Sequence, residues 1–185
     1  MIDDILNKGE SRMKGSIKAL EEELEGIRTG RATPALVEKL TVEYFGVDTP
    51  FNQVANITIP DARSIMIKPY DPTLVRPMTK AIQASDLGLT PSDDGKTIRL
   101  MLPPLTEERR KELAKQVKGR LEEARVSIRN VRRDVVKDLK DAEKEKLITE
   151  DDRKKGEEKA QKLTTTWTAK VDEVGAKKEK EIMEI

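Results

Sequence analysis

The chain has 185 residues, of which 38% are charged and 3% aromatic, and its formal net charge is +1. Such a composition is typical of long exposed helices and argues against a compact enzyme core. With no histidine and no cysteine, the chain lacks the commonest general base, the thiol nucleophile, and the nitrogen and sulfur ligands of zinc. We therefore expect no catalysis, no cofactor and no metal.

The expected compartment is the cytoplasm. The absence of cysteine excludes a disulfide framework and is compatible with a reducing environment. No segment approaches ~18 consecutive apolar residues, and residues 1–15 contain no apolar signal core. Because the net charge is small, any attraction to nucleic acid has to be local.

Residues 2–28 are predicted to form a first long helix. Its apolar residues recur at helical spacings and line one face, at Leu6, Met13, Ile17, Leu20, Leu24 and Ile27. One helix with one apolar seam cannot bury that seam alone, so this helix needs partners. Gly30 and Pro34 are typical of residues that end a helix.

Residues 35–102 change to a pattern of strands and turns. The expected strands are 39–46, 54–59, 64–68 and 97–102, with a turn at 60–63 and a short helix at 74–85. This pattern predicts a small α+β domain. Its expected core residues are Val42, Tyr44, Ile57, Ile59, Ile65, Ile67, Ile82, Leu87, Ile98 and Leu100.

Residues 106–145 form the most regular stretch, with no proline and one glycine. Thr106 is a plausible N-cap, because Pro103 and Pro104 prevent an earlier start. At about 100° per residue, the apolar residues fall within one arc roughly 80° wide. They form the apolar stripe: Leu113, Val117, Leu121, Ala124, Ile128, Val131, Val135, Leu139 and Ala142.

Charges sort to the two sides of this stripe. One side, the basic flank, carries Lys111, Lys115, Lys118, Arg125, Arg129, Arg132, Arg133 and Lys140, diluted by Glu107, Glu122 and Glu143. The other, the acidic flank, carries Glu112, Glu123, Asp134, Asp138, Asp141 and Glu145 against Arg109 and Arg120. Two interpretations fit: a solvated helix whose charges happen to sort, and a basic surface that faces nucleic-acid phosphates.

A third long helix is predicted from about residue 149 to residue 183. Thr149 and Asp152 resemble a capping pair. The expected seam is Ala160, Leu163, Trp167, Val171 and Val174, followed by Ile182 and Ile185. We expect Trp167 to plug the core rather than to stack on a base.

The three long helices can close a three-helix bundle. We assign residues 1–29 and 105–185 to this discontinuous bundle and residues 30–104 to an α+β domain inserted at one end. The fold class is therefore α+β. The chain crosses between the two domains twice, and the crossings form a hinge or a fixed elbow. Their residues are Thr29, Gly30, Arg31, Pro103, Pro104 and Leu105.

Four segments closely resemble the bacterial ribosome recycling factor family. They are residues 26–32 (GIRTGRA), 85–88 (SDLG), 102–110 (LPPLTEERR) and 127–133 (SIRNVRR). The resemblance covers the whole chain without a visible insertion. It implies a long bundle with a movable β/α/β domain, and arginines at positions 110, 129 and 132 that press against large-subunit ribosomal RNA. The helical wheel places Arg110 near the apolar arc rather than on the basic flank.

The resemblance also implies a monomeric translation factor that binds the ribosome after termination. With elongation factor G and GTP hydrolysed by that partner, the family splits the subunits, releases mRNA and so recycles ribosomes. A helical scaffold or chaperone-like module that binds protein clients is the alternative. It requires an exposed apolar groove, and salt should strengthen its binding or leave it unchanged. A carboxylate enzyme is a third, weaker candidate.

Overall fold

The structure, a computed structural model, describes residues 1–27 and 29–184. The predicted helix end at Arg28 and the predicted seam residue Ile185 lie outside the described residues. In chain order the helices and strands are α1 (Ile2–Glu25), β1 (Thr41–Tyr44), β2 (Val47–Pro50), α2 (Phe51–Val54), β3 (Ala55–Asp61), β4 (Ser64–Pro69), α3 (Val75–Ala84), β5 (Pro91–Asp93), β6 (Ile98–Met101), α4 (Glu107–Lys144) and α5 (Glu150–Met183).

The chain divides into two compact units. The helical unit consists of α1, α4 and α5, and the α+β unit consists of residues 29–106. The predicted α+β fold class, which combines long helices and a β/α/β region, is confirmed. No helix among the described residues is both long enough and apolar enough to cross a membrane.

The apolar stripe of α4 is the core of the helical unit. All nine predicted residues are buried, and no other residue of α4 is. The helix begins at Glu107, directly after Thr106, and at about 1.5 Å per residue it extends for about 57 Å. The stripe was predictable because one unbroken period of about 3.6 residues runs through 38 residues.

Helices α1 and α5 both run antiparallel to α4. Along α1, Arg12 forms an ion pair with Asp134 at 2.9 Å, and Glu23 lies 3.9 Å from Arg120. Residue numbers therefore increase along α1 in the direction in which they decrease along α4. Along α5, Arg125 of α4 bonds Asp172 at 2.6 Å. Both neighbours therefore pack on the same stripe, and α1 and α5 also contact each other.

Three glycines allow this close packing. A Cβ atom at Gly9 would lie 2.5 Å from Cγ2 of Val135, one at Gly175 would lie 2.4 Å from Cδ1 of Leu121, and one at Gly156 would lie 2.9 Å from Cδ1 of Leu139. Real Cβ atoms do not approach other atoms so closely. The large side chains of α4 therefore fill notches that the glycines leave on α1 and α5.

The predicted seam of α5 is confirmed only in part, at Ala160, Val171 and Ile182. Leu163, Trp167 and Val174 are only half-buried. The buried residues are instead mostly small, namely Gly156, Ala160, Thr164, Val171, Gly175 and Ile182. Trp167 is consequently not a central plug, and its indole lies beside α1 with the Lys14 ammonium 5.7 Å from the ring centroid. The spacing of apolar residues did not reveal this buried face of α5, because glycine and threonine contribute little to a hydropathy pattern.

The predicted capping pair between α4 and α5 is confirmed. The backbone N–H of Asp152 donates to Oγ1 of Thr149 at 3.1 Å, and the N–H of Thr149 donates to Oδ2 of Asp152 at 3.2 Å. This reciprocal arrangement satisfies two backbone donors at the start of α5. The hydrogen bonds from Thr149 hold the pKa of Asp152 below its ordinary value.

The α+β unit is built on a four-stranded antiparallel sheet in the order β3-β4-β6-β5, with a separate β1–β2 hairpin. Of the predicted core residues, Val42, Ile65, Ile67, Ile82, Ile98 and Leu100 are buried, and Tyr44, Ile57, Ile59 and Leu87 are half-buried against the same core. The turn that joins β3 and β4 is shorter than predicted, because residues 60 and 61 belong to β3 and only Ala62 and Arg63 lie between the strands. Sequence analysis missed β2, α2 and β5, which are each only three or four residues long.

The glycine notches lead to a stability prediction. Gly175→Ala should lower the free energy of unfolding by about 1–3 kcal/mol, because the added methyl group would overlap the buried side chain of Leu121. Gly119→Ala is the matched control, since Gly119 lies in α4 with nothing within 4 Å of its Cβ direction. It should stabilise the helix by about 0.5–1 kcal/mol. Thermal and urea denaturation measure both, and an equal effect of the two substitutions would contradict the role of the notch.

Candidate nucleic-acid interface

The basic flank lies beside the buried stripe of α4. Because the stripe faces α1 and α5, the flanks turn outward. Lys111, Lys115, Lys118, Arg129, Arg133 and Lys140 are exposed, and Arg125 and Arg132 are half-buried. Arg110 is half-buried as well, which agrees with its place near the apolar arc. Eight cationic side chains along one helix could contact a row of phosphates.

Two of these arginines are partly neutralised by carboxylates. Nη2 of Arg129 donates to Glu122 at 2.7 Å, and Nη1 of Arg125 lies 3.6 Å from the same carboxylate. Arg125 also donates to Asp172 of α5 at 2.6 Å, which raises the pKa of Arg125 above its ordinary value. The hydrogen bond from Arg129 and the two positive charges hold the pKa of Glu122 below its ordinary value. Glu122 therefore competes with any external anion for Arg129.

Arg132 is held in a groove between α4 and α5. Its Nη1 donates to Oε1 of Gln161 at 2.7 Å, and its Nε is buried without a hydrogen-bond partner among the described residues. The neutral amide of Gln161 orients the guanidinium without cancelling its charge. The groove also exposes three further cations against two carboxylates, and its lining is Arg132, Arg133, Val136, Lys137, Lys140, Asp141, Glu157 and Gln161.

Five cations of the basic flank have no ion-pair partner within the described part of the chain. They are Lys115, Lys118, Arg132, Arg133 and Lys140. Lys111 lies 3.8 Å from Glu107, but both side chains are mostly exposed, so this pair is weak. The positive charge available to an external anion therefore lies toward the two ends of the flank. The paired Arg125 and Arg129 lie between these ends.

The acidic flank is bonded differently. Glu112 accepts from Arg109 at 2.9 Å, and Glu123 accepts from Arg120 at 3.2 Å. Asp134 accepts from Arg12 of α1, also at 2.9 Å. Three carboxylates of this flank thus meet arginines of the helical unit itself, and the pair of Asp134 with Arg12 helps to fasten α1 to α4.

Both crossings are fastened to the turn between β3 and β4. The N–H of Ala32 donates to the carbonyl of Ala62 at 2.8 Å, and the N–H of Leu102 donates to the carbonyl of Arg63 at 2.7 Å. Nε of Arg63 donates back to the carbonyl of Leu102 at 3.0 Å. Arg63 therefore closes a two-bond clamp on the second crossing.

The six residues predicted at the crossings differ in their exposure to solvent. Thr29 is buried, Arg31 and Leu105 are half-buried, and Pro103 and Pro104 are exposed. Gly30 has a φ of 76°, which a side chain would strain, and a Cβ there would lie 3.3 Å from Leu105. The two crossings thus approach each other at Gly30 and Leu105.

Comparison with known proteins decides the family. The family model "Ribosome recycling factor" matches residues 20–183. The chain belongs to the ribosome recycling factor family. Among its relatives, the ribosome-recycling factor of Syntrophomonas wolfei is 54% identical, and those of Roseiflexus castenholzii and Bacillus licheniformis are 51% identical, each over the full length of both chains.

Solved structures of the family resemble this chain throughout its length. A solution structure of a ribosome recycling factor is 40% identical with a TM-score of 0.64, covering 100% of this chain and 98% of the other. A second structure presents models for the T. thermophilus ribosome recycling factor and the E. coli elongation factor G bound to the E. coli post-termination complex. It is 43% identical with a TM-score of 0.59, covering 98% of each chain.

Sequence analysis could not detect the partners of the flank arginines. The contacts of Arg125 with Asp172 and of Arg132 with Gln161 join residues 47 and 29 positions apart, so they depend on how α5 packs. The bond from Arg129 to Glu122 does lie within α4, seven residues apart, and that spacing of two helical turns could have predicted it. No sequence pattern pointed to Arg63, because its side chain bonds a backbone carbonyl, that of Leu102, which any residue could supply.

The neutralising role of Glu122 leads to a prediction with an unusual sign. Glu122→Gln should strengthen binding to RNA phosphates by about two- to tenfold at low salt, because it removes the carboxylate that occupies Arg129. Glu123→Gln is the matched control, since Glu123 pairs with Arg120 on the other flank. Co-sedimentation with isolated large ribosomal subunits measures both variants. Weaker binding of the Glu122 variant would contradict a phosphate contact at Arg129.

Proposed function

We propose that this protein is a translation factor that binds the post-termination ribosome. With elongation factor G and GTP, it splits the subunits and releases mRNA, so that ribosomes are recycled. The observation that carries this proposal is the family match, supported by the related structure that places a ribosome recycling factor and elongation factor G on the post-termination complex. The role is non-enzymatic, since the partner hydrolyses GTP, and it belongs to the cytoplasm, where ribosomes work.

The basic flank is the proposed contact with large-subunit ribosomal RNA. The proposed residues are Arg132, Arg129, Arg110, Arg133, Arg125, Lys118, Lys115 and Lys111. The unpaired cations support this role, because charges without an internal partner lose least when they bind phosphates. The half-buried guanidinium of Arg132, oriented by Gln161, supports a directional contact with one phosphate or base edge.

The crossings are the proposed hinge between the bundle, residues 1–29 and 105–185, and the inserted domain, residues 30–104. Ala32 and Leu102 are bonded to the β3–β4 turn and so belong mechanically to the α+β unit. The proposed bending thus lies in two short stretches, residues 29–31 and 103–105. In this proposal elongation factor G acts on the α+β unit while the basic flank holds the bundle on RNA.

The alternative, a scaffold for protein clients, finds less support. In the helical unit the exposed large apolar side chains are Met1, Val126, Leu147 and Met183. Three of them lie at helix ends or in the turn between α4 and α5, and among the described residues only Val126 lies in the interior of a helix. The described helices therefore present no continuous apolar groove to a client.

Arg132→Ala tests the proposed RNA contact. It should weaken binding to large subunits by about tenfold, because one charge-assisted hydrogen bond contributes roughly 1.5 kcal/mol. The melting temperature should change little, since the side chain is only half-buried. Asp138→Ala, on the acidic flank, is the control and should bind normally. Equal losses for the two variants, measured by co-sedimentation, would refute the contact.

Arg63→Met tests whether the second crossing must be firmly anchored. Removing its bond to Leu102 should leave large-subunit affinity unchanged within about twofold, since the basic flank is intact. Subunit splitting by elongation factor G and GTP should slow several-fold. A less firmly bonded crossing would transmit less of the force that elongation factor G exerts on the α+β unit. Arg99→Met, an exposed arginine of the same sheet, should do neither. Circular dichroism verifies folding, and a normal splitting rate for Arg63→Met would show that the anchor is dispensable.

A further inference from the structure

The tip of the β1–β2 hairpin holds an aromatic residue in an unfavourable position. The pairing of Tyr44 with Val47 leaves a two-residue loop, Phe45-Gly46, with φ values of 51° and 76°. Two positive φ angles define the type I′ turn, which favours asparagine and glycine and strains a bulky side chain. Phe45 is nevertheless 87% exposed, so its ring does not compensate for this strain by packing in the core.

The apolar surface at the tip extends beyond one ring. Phe45 contacts Tyr44, with ring centroids 4.4 Å apart, and Val47 is 64% exposed. Exposed clusters of this kind, on a two-stranded support, are typical of anchors that fill a pocket on a partner. The hydroxyl of Tyr44 donates to Asp71 at 3.3 Å, which fixes one side of the cluster.

Acidic side chains lie next to this cluster, two of them on the opposite face of the hairpin. Glu43 and Asp48 are exposed and directly opposite each other in the hairpin register. Like charges in that arrangement destabilise a hairpin, and neither carboxylate has an ion-pair partner among the described residues. With Asp71 beside Tyr44, the apolar tip is bordered by three carboxylates. A partner that supplies cations would relieve their repulsion.

We propose that the tip of the β1–β2 hairpin, led by Phe45, docks into an apolar pocket rimmed by lysine or arginine side chains on a protein of the recycling complex. The inference rests on the proposed function, since that function supplies the complex. The acidic border decides against RNA: a base could stack on Phe45, but the flanking phosphates would face Glu43 and Asp48. The hairpin and the basic flank therefore address chemically different partners.

Photo-crosslinking identifies the class of partner. Phe45 is replaced by p-benzoylphenylalanine, which keeps an aromatic ring at the tip, and the full-length protein is irradiated in post-termination ribosomes with elongation factor G. The expected product is an adduct that protease removes and nuclease does not. The same probe at Met101, an exposed apolar residue of β6, is the control. An adduct with RNA alone, or no adduct above the Met101 level, would overturn the proposal.

Phe45→Asn separates docking from folding. Asparagine suits the type I′ turn, so the melting temperature should stay the same or rise. Splitting by elongation factor G and GTP should nevertheless slow at least fivefold, because the anchor is lost. Met101→Gln, the control, should split ribosomes normally. Normal splitting by Phe45→Asn would overturn the anchor, whereas a wild-type protein that splits no ribosomes would overturn the proposed function instead.

Discussion

The close approach of α1 and α5 to α4 is the constraint on which the helical unit depends. Leu121, Val135 and Leu139 of α4 occupy the notches of Gly175, Gly9 and Gly156. Large side chains on one helix thus meet missing side chains on its neighbours, which fixes the axial register of all three helices. Closely packed protein interiors tolerate little sliding of one helix along another. The register in turn determines which side chains of α4 face outward.

The charged flanks follow from that register. Because the stripe takes up one arc of α4, the basic and acidic residues project on opposite sides of the packed seam. The acidic flank is bonded to arginines, one of them from α1, and so serves the helical unit itself. Among the described residues, the basic flank keeps several cations without an ion-pair partner, and the neutral amide of Gln161 positions Arg132. A surface of this kind is suited to phosphates, and in the proposed contact its own carboxylate Glu122 would compete with them for Arg129.

The sequence predicts most reliably the elements whose signal is long and periodic. The nine buried residues of α4 follow from one repeat, and the capping pair of Thr149 and Asp152 from a local motif. The buried face of α5 could not be predicted from hydropathy, because Gly156, Thr164 and Gly175 are buried for their small size. Short strands such as β5 carry too few residues for a pattern. The long-range partners of Arg125 and Arg132, and the clamp at Arg63, depend on tertiary packing that no local spacing encodes.

The two units thus divide their chemistry: a basic helical surface suited to RNA, and an acidic, apolar-tipped hairpin suited to protein. The most direct test of the RNA contact is the affinity of the wild-type protein for isolated large subunits across a salt series. Each neutralised phosphate contributes a slope of about −0.7 to −0.9 to log affinity against log salt. We predict a linear fall with a slope of about −3 or steeper, as expected for at least four phosphate contacts. An affinity that stays constant or rises with salt would contradict the account and favour apolar docking.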